Sequence, residues 1–104
     1  MNVLLVTKTD DNESVDRVAR ALKKRRAKPV RLDSDAYPLD VRLSTSLGGA
    51  RRLDTGHAKL DLETLHAIWY RRFDAGAGLP FELGDTREAA VSESRRTLYG
   101  TIAA

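Results

Sequence analysis

The residues best suited to chemistry are the tetrapeptide Trp69-Tyr70-Arg71-Arg72, the acidic pair Asp10-Asp11 and the two histidines, His57 and His66. In an extended strand Trp69 and Arg71 fall on one face, Tyr70 and Arg72 on the other. Two arginines at a strand's carboxyl end can present guanidinium forks to a phosphate or carboxylate at the mouth of an α/β sheet. In the plainer alternative, Trp69 and Tyr70 are core and both arginines are solvated. Asp10-Asp11 follows the first apolar run, where phosphoacceptor receiver domains keep acidic metal ligands. The rest of that constellation is missing: Ser46-Leu47 stands where an acceptor Asp is needed, and Arg71-Arg72 where a Lys is needed. Acids ahead of a helix that complement its dipole are the alternative there.

Other chemistries lack their parts. His57 and His66 have neither HxH nor HExxH spacing, so surface or capping roles are expected for both. The segment Val6 to Ser14 contains no glycine, and is therefore neither a Walker A loop nor a dinucleotide fingerprint. Ser, His and Asp occur without a nucleophile-elbow pattern. The chain has no cysteine, which removes disulfides, thiolate metal sites and a Cys nucleophile.

These residues must be positioned by a small fold. At 104 residues, 41% hydrophobic and 32% charged, the chain reads as one globular domain spanning 1–104. Its net charge is +3, with thirteen Arg and five Lys nearly balanced by fifteen acids. The aromatic-plus-basic surface of a single-strand binder is missing, so nucleic acid is not expected as a partner. No apolar run approaches the roughly 18 residues of a membrane span, and no signal peptide is visible. A soluble, cytoplasmic chain with no membrane partner is expected.

Asn2 to Thr7 (NVLLVT) is a continuous apolar run that predicts a buried strand. Asn12 is placed to cap a helix from Glu13 to Arg26, with Val15, Val18, Ala19 and Leu22 on one face. Pro29 stops it, and Val30 to Asp33 predicts a second strand, parallel to the first through a right-handed crossover. Asp40 to Leu47 alternates strictly, with Leu39, Val41, Leu43 and Thr45 on one side. Gly48-Gly49 marks a hairpin turn that returns as Ala50 to Thr55. A helical turn at Asp61 to His66, a strand at Ala67 to Arg71 and a Gly- and Pro-bearing loop at Phe73 to Leu83 follow. Asp85 and Glu88 form a capping-box pattern for a last helix that buries Val91, Leu98 and Ile102 and runs to Ala104. That helix ends without a polar cap, as a chain does when it has been cut or when it leads into something else. The expected fold is α/β: a three-layer, Rossmann-like β-α-β-β-β-β-α domain with a mixed sheet and an antiparallel hairpin.

The opening NVLLVTKTDDNESVDRV, the segment VRLDSDAYPLDVRLS, the Gly-Gly hairpin and above all IWYRR resemble the N-terminal pre-ATP-grasp domain of graspetide synthetases, the microviridin-type (MvdC/MvdD-like) peptide maturases. The resemblance runs from Asn2 through the last helix and its Glu93-Ser94-Arg95. It implies part of an ATP-dependent ligase: a carboxylate of a ribosomal precursor peptide is activated as an acyl phosphate, then attacked by a Ser or Thr hydroxyl or a Lys amine. An ω-ester or ω-amide ring closes. In that family ATP and Mg are bound by central and C-terminal ATP-grasp domains, and this sequence stops before them. The resemblance therefore implies no catalytic residue and no cofactor on this chain, with ATP and Mg for the full-length enzyme. Its implied partners are those ATP-grasp domains, the precursor peptide and a second copy in a homodimer. Tyr70, Arg71 and Arg72 are the candidates to border the substrate cleft. Three other readings are a stand-alone module binding an acidic peptide or a protein, a basic nucleic-acid-binding domain with steeply salt-dependent binding, and the N-terminal domain of a RimK-like amino-acid ligase.

Overall fold

The computed structural model of the chain describes residues 1–103. Six strands and two long helices follow one another as β1 (Asn2–Thr7), α1 (Asn12–Lys24), β2 (Lys28–Asp33), β3 (Arg42–Thr45), β4 (Arg51–Asp54), β5 (Lys59–Asp61), β6 (Leu65–Tyr70) and α2 (Asp85–Ala103). The strands divide into two sheets: the expected antiparallel hairpin builds a sheet of its own, and the sheet expected to be mixed is parallel throughout. One is wholly parallel, ordered β2-β1-β6, and the other wholly antiparallel, ordered β3-β4-β5. The alternating 40s segment and its hairpin partner bury only one face, so they suit a sheet of their own laid over the parallel one.

The apolar run of β1 is explained by its central place, buried on both faces. Val3 and Leu5 pack with Val15 of α1, beside Val18, Ala19, Leu22 and Trp69. Leu4 and Val6 point the other way, into a larger cluster with Val30, Leu32, Val41, Leu53, Leu60, Leu98 and Ile102. The layers are thus α1, the parallel sheet, and a third layer shared by α2 and the antiparallel sheet. Each fully buried Leu or Val contributes about 1.5–3 kcal/mol, which makes β1 the keel of the domain.

Several local expectations shift. Helix α1 begins one residue earlier than expected, with Asp11 rather than Asn12 at the cap position and no side-chain capping bond. Its other end stops at Lys24, before the expected Arg26, which takes a left-handed φ of 63°. Pro29 lies inside β2, which an edge strand tolerates because its missing N–H faces outward. The predicted strand Asp40 to Leu47 contracts to Arg42–Thr45, and Leu39 turns outward to solvent. The hairpin at Gly48-Gly49 is present, with Gly49 at φ 86°, a conformation that favours glycine. Strand β5 went unpredicted: three residues carry too little periodicity, and only the facing of Leu60 with Leu53 reveals it. In α2 the buried face is Ser94, Leu98 and Ile102, with Val91 half-buried. The expected Ala104 terminus of that helix lies outside the described residues.

Candidate functional site at the carboxyl edge of the parallel sheet

All three parallel strands end on one edge, and their last residues meet there. Helix α1 leaves β1 on one face and α2 follows β6 on the other, so the gap between β1 and β6 is a topological switch point, where open α/β sheets bind ligands. Arg71 and Arg72 stand at this gap because both of their backbone N–H groups donate to the Val6 carbonyl, at 2.9 and 3.3 Å.

The side chains of the two arginines converge on one carboxylate. Arg71 Nε donates to Asp11 Oδ2 at 2.9 Å, and Arg72 Nε lies 3.8 Å from the same oxygen. Arg71 also reaches Ser14 Oγ at 3.5 Å, whereas Arg72 is the more exposed of the pair. The Thr7 hydroxyl donates to Asp11 Oδ2 at 2.7 Å. That bond first, and then the charges of Arg71 and Arg72, hold the Asp11 carboxyl below its usual range despite its partial desolvation. Asp11 is therefore a structural counter-ion. Its capping bond is absent because the carboxylate is spent on Thr7 and the arginines.

A second charge pair flanks the first. Lys8 Nζ lies 3.2 Å from Asp74 Oδ2, and that hydrogen bond raises the lysine's pKa above its ordinary value. Beneath both sits the buried Ser34 hydroxyl, which donates to the Thr7 carbonyl at 2.8 Å and accepts the Asp74 N–H at 2.9 Å. It thereby ties the ends of β1 and β2 to the loop after β6. Arg31 adds a brace, donating to the Lys8 carbonyl at 2.8 Å and to Asp33 at 2.8 Å. Between the pairs lies a depression of about 220 Å³ lined by Lys8, Asp10, Asp11 and Arg72. A larger hollow of about 480 Å³ lies over the antiparallel sheet, remote from the strand ends.

Tyr70 faces the opposite layer. Its ring lies 5.8 Å from that of Tyr99 on α2, which also meets Phe73 edge-on at 6.0 Å. Burial, and then Tyr99, push its hydroxyl above the ordinary phenol value. Of the three sequence candidates, then, Arg71 and Arg72 share one site and Tyr70 belongs to an aromatic cluster beside it. Trp69 packs toward α1. His66 Nδ1 accepts the N–H of Asn2 at 3.1 Å, and His57 is exposed in the turn before β5. Lys8, Ser34 and Asp74 escaped sequence reasoning, because their partners lie 27 to 66 positions away and no spacing rule links them.

The residues of this edge do not fit a nucleotide phosphate with its metal. Among the described residues no three His, Cys, Asp or Glu side chains are grouped to hold a cation. Asp11, the best-placed carboxylate, is occupied by two arginines and a threonine. The edge carries cations and carboxylates in near balance, and among them Arg72, half-exposed and 3.8 Å from Asp11, is the guanidinium least committed to a partner.

The family model of the MvdD pre-ATP grasp domain matches residues 2–104, and the chain belongs to that family. Among solved structures, it is similar over its whole length to the macrocyclase MdnC bound with precursor peptide MdnA from Microcystis aeruginosa MRC, at 36% identity and a TM-score of 0.90. It is similar over 95% of its length to a Chryseobacterium gregarium RiPP-associated ATP-grasp ligase in complex with ADP and a leader and core peptide, at 36% identity and TM-score 0.83. A third relative is the macrocyclase MdnB from Microcystis aeruginosa MRC, with 96% of this chain covered, 36% identity and TM-score 0.81. The chain spans about a third of the length of these relatives: 34%, 31% and 34%. A search of curated proteins found no match. The fold is thus the small pre-ATP-grasp domain of RiPP ligases, one parallel and one antiparallel three-stranded sheet. No helix among the described residues is long and apolar enough to cross a membrane.

Proposed function

We propose that this domain is the amino-terminal part of an ATP-dependent ligase that macrocyclises a ribosomal precursor peptide through ω-ester or ω-amide bonds. The observation that carries it is the family match over residues 2–104, with 36% identity to a macrocyclase bound with its precursor peptide. In that reaction ATP phosphorylates a side-chain carboxylate and ADP leaves. A hydroxyl or amine of the same peptide then displaces phosphate from the acyl carbon and closes the ring. ATP and Mg would be held by the ATP-grasp domains of the intact ligase, and no step is assigned to the residues described above.

The domain's own contribution is to wall the substrate cleft. Arg71, locked by Asp11 and Ser14, is a rigid part of that wall. Arg72, only loosely held at 3.8 Å, is the arm free to meet an acidic core-peptide side chain. Tyr70 borders the same cleft from the α2 side. The same architecture would suit a RimK-like amino-acid ligase, but the relatives 36% identical to this chain are a RiPP-associated ligase and two macrocyclases.

The test is reconstitution of the intact ligase with its precursor peptide, ATP and Mg, reading loss of water per ring by mass spectrometry. Ring formation with the intact enzyme and none with the 104-residue chain is expected. A chain that binds acidic peptide tightly, in an organism where no ATP-dependent ring forms, would point instead to a stand-alone binding module. Arg71→Ala and Arg72→Ala both leaving the macrocyclisation kinetics unchanged would remove the cleft role.

A further inference from the structure

The end of α1 and the start of β2 gather six cations in nine positions: Arg20, Lys23, Lys24, Arg25, Arg26 and Lys28. All six are exposed, and among the described residues none has an ion-pair partner. Their neighbours differ: Arg17 is paired with Glu13 and Arg31 with Asp33. On the amino edge of the parallel sheet the nearby Glu63 is taken by Arg51. Like charges three and four positions apart on a helix, as Arg20, Lys23 and Lys24 are, repel one another. The fold gathers them and supplies no counter-charge.

The backbone at this corner adds a second observation. Helix α1 closes in a Schellman turn, where the Ala27 N–H donates to the Leu22 carbonyl at 2.9 Å and the Arg26 N–H to the Lys23 carbonyl at 3.0 Å. Such a turn needs a left-handed residue at position 26. Glycine is customary there, yet this chain carries an arginine at φ 63°, the one non-glycine with positive φ among the described residues. The helix dipole does not account for it. Lys23 and Lys24 already serve the last turn, and the influence of the dipole fades beyond it. A strained residue kept where glycine would be relaxed points to a use for its side chain. The turn also occupies the Leu22 and Lys23 carbonyls, acceptors that would otherwise meet an incoming anion at this helix end.

We propose that this corner is a docking site for an acidic segment of a partner polypeptide, a short run of Asp and Glu side chains that supplies the missing counter-charge. The dimensions suit such a run: from Arg20 to Arg26 the chain rises about 9 Å along the helix, roughly the length of three extended residues. A nucleic acid is served less well. No aromatic residue stands between positions 20 and 28 to stack a base, and a strand continuing along α1 would meet Asp16 and Glu13. A membrane surface is served worst, because Leu22, the one large apolar side chain of the segment, packs inward beside Val3, Val15 and Trp69 and leaves nothing to insert. The corner lies at the amino edge of the parallel sheet, where β2 begins, and so at the opposite edge from Arg71 and Arg72. The inference does not rest on the proposed ligase.

Fluorescence anisotropy of a labelled hexaglutamate peptide, titrated with the full chain, tests the site. Binding that weakens as salt is raised is expected. Lys24→Gln, Arg25→Gln and Arg26→Gly together should weaken it about tenfold, the scale of three exposed ion pairs lost. Arg42→Gln, Arg52→Gln and Lys59→Gln remove as much exposed charge from the antiparallel sheet and should leave the affinity within about twofold. Arg26→Gly alone should leave the melting temperature equal or higher, because glycine takes the left-handed φ without strain. No binding by the unchanged chain, or equal losses in the two triple variants, would overturn the proposal. An Arg26→Gly chain that melts lower would return that arginine to the fold and overturn it too. A single-stranded oligonucleotide of equal charge, bound more tightly through the same three residues, would assign the corner to nucleic acid instead. The readout involves neither ATP nor ring formation, so its failure and that of the ligase reading are separate results.

Discussion

Ser34→Ala is the substitution that best tests how the carboxyl edge is held. The Ser34 side chain is completely buried, and its oxygen serves two strand ends at once. It donates to the Thr7 carbonyl at 2.8 Å and accepts the Asp74 N–H at 2.9 Å, with the Arg72 carbonyl at 3.3 Å as a poorer alternative. Alanine keeps the volume nearly unchanged and removes only the oxygen, so no cavity term confuses the reading. The Asp74 N–H loses its acceptor in a partly buried place. A buried donor without a partner costs about 1–3 kcal/mol. For a domain of this size each kcal/mol lowers Tm by about 4–8 °C, so a fall between about 4 and 24 °C is expected in a calorimetric or circular-dichroism melt. Urea denaturation should show the same loss as a shift in midpoint at constant slope. The Asp74 amide, which donates to the Ser34 oxygen, should also exchange faster than in the unchanged protein. A variant that loses less than about 0.5 kcal/mol and keeps that amide protected would refute the claim that Ser34 fastens this edge.

Three further outcomes follow from the same geometry. Gly76→Ala adds a Cβ at φ 87° and 2.9 Å from the Val91 Cα of α2; strain plus overpacking should cost about 2–5 kcal/mol, read from a urea titration. The folded pKa of Asp11 lies below its ordinary 3.8, so its contribution to stability is present above that value and is lost as pH falls through the folded pKa. Asp11→Asn should flatten that limb of the stability–pH curve, and an unchanged acid limb would show that the Thr7 and arginine contacts are immaterial. In the intact ligase, Arg72→Ala should lower kcat/KM for the precursor peptide by about tenfold or more, the scale of a lost charged hydrogen bond. Its melting temperature should stay close to that of the unchanged enzyme, since a half-exposed pair at 3.8 Å adds little.

The sequence made the layers legible because each has its own period. The NVLLVT run declares a strand buried on both faces, the 3.6-residue pattern of Val15, Val18 and Leu22 declares one helix face, and the strict alternation near Leu43 declares a one-sided sheet. The Gly-Gly hairpin was equally plain. Division into two sheets was not, because pairing partners depend on which faces meet. Period alone is silent on that. The site was half legible. Arg71 and Arg72 stand out by type and strand-end position, but Asp11 read as a helix-start acid. Its bond to Arg71 spans 60 positions, a distance at which only the folded sheet can inform.

That hidden carboxylate also explains why two adjacent arginines are not redundant. A guanidinium at a strand end costs little while it remains solvated, but a cleft wall needs at least one that does not wander. Asp11 and Ser14 take up the Arg71 side chain, and Thr7 keeps Asp11 ionised and aimed. With Arg71 committed, the same carboxylate is too far and too occupied to hold Arg72 firmly. The pair therefore divides into a firmly held cation and a looser one, and in the proposed cleft the looser one is the arm able to close on an anion. Exchanging their roles would require moving Asp11 across the gap between β1 and β6, which the backbone bonds of both arginines to Val6 forbid. On this argument Arg71→Lys is not a mild change. A lysine offers one ammonium in place of the separate Nε and Nη2 groups that reach Asp11 and Ser14, and in the proposed cleft Arg72 would be drawn toward the less firmly held carboxylate and away from the peptide. Loss of peptide affinity in Arg71→Lys, restored in part by Asp11→Asn in the same chain, is the signature of that competition; additive losses in the double variant would exclude it.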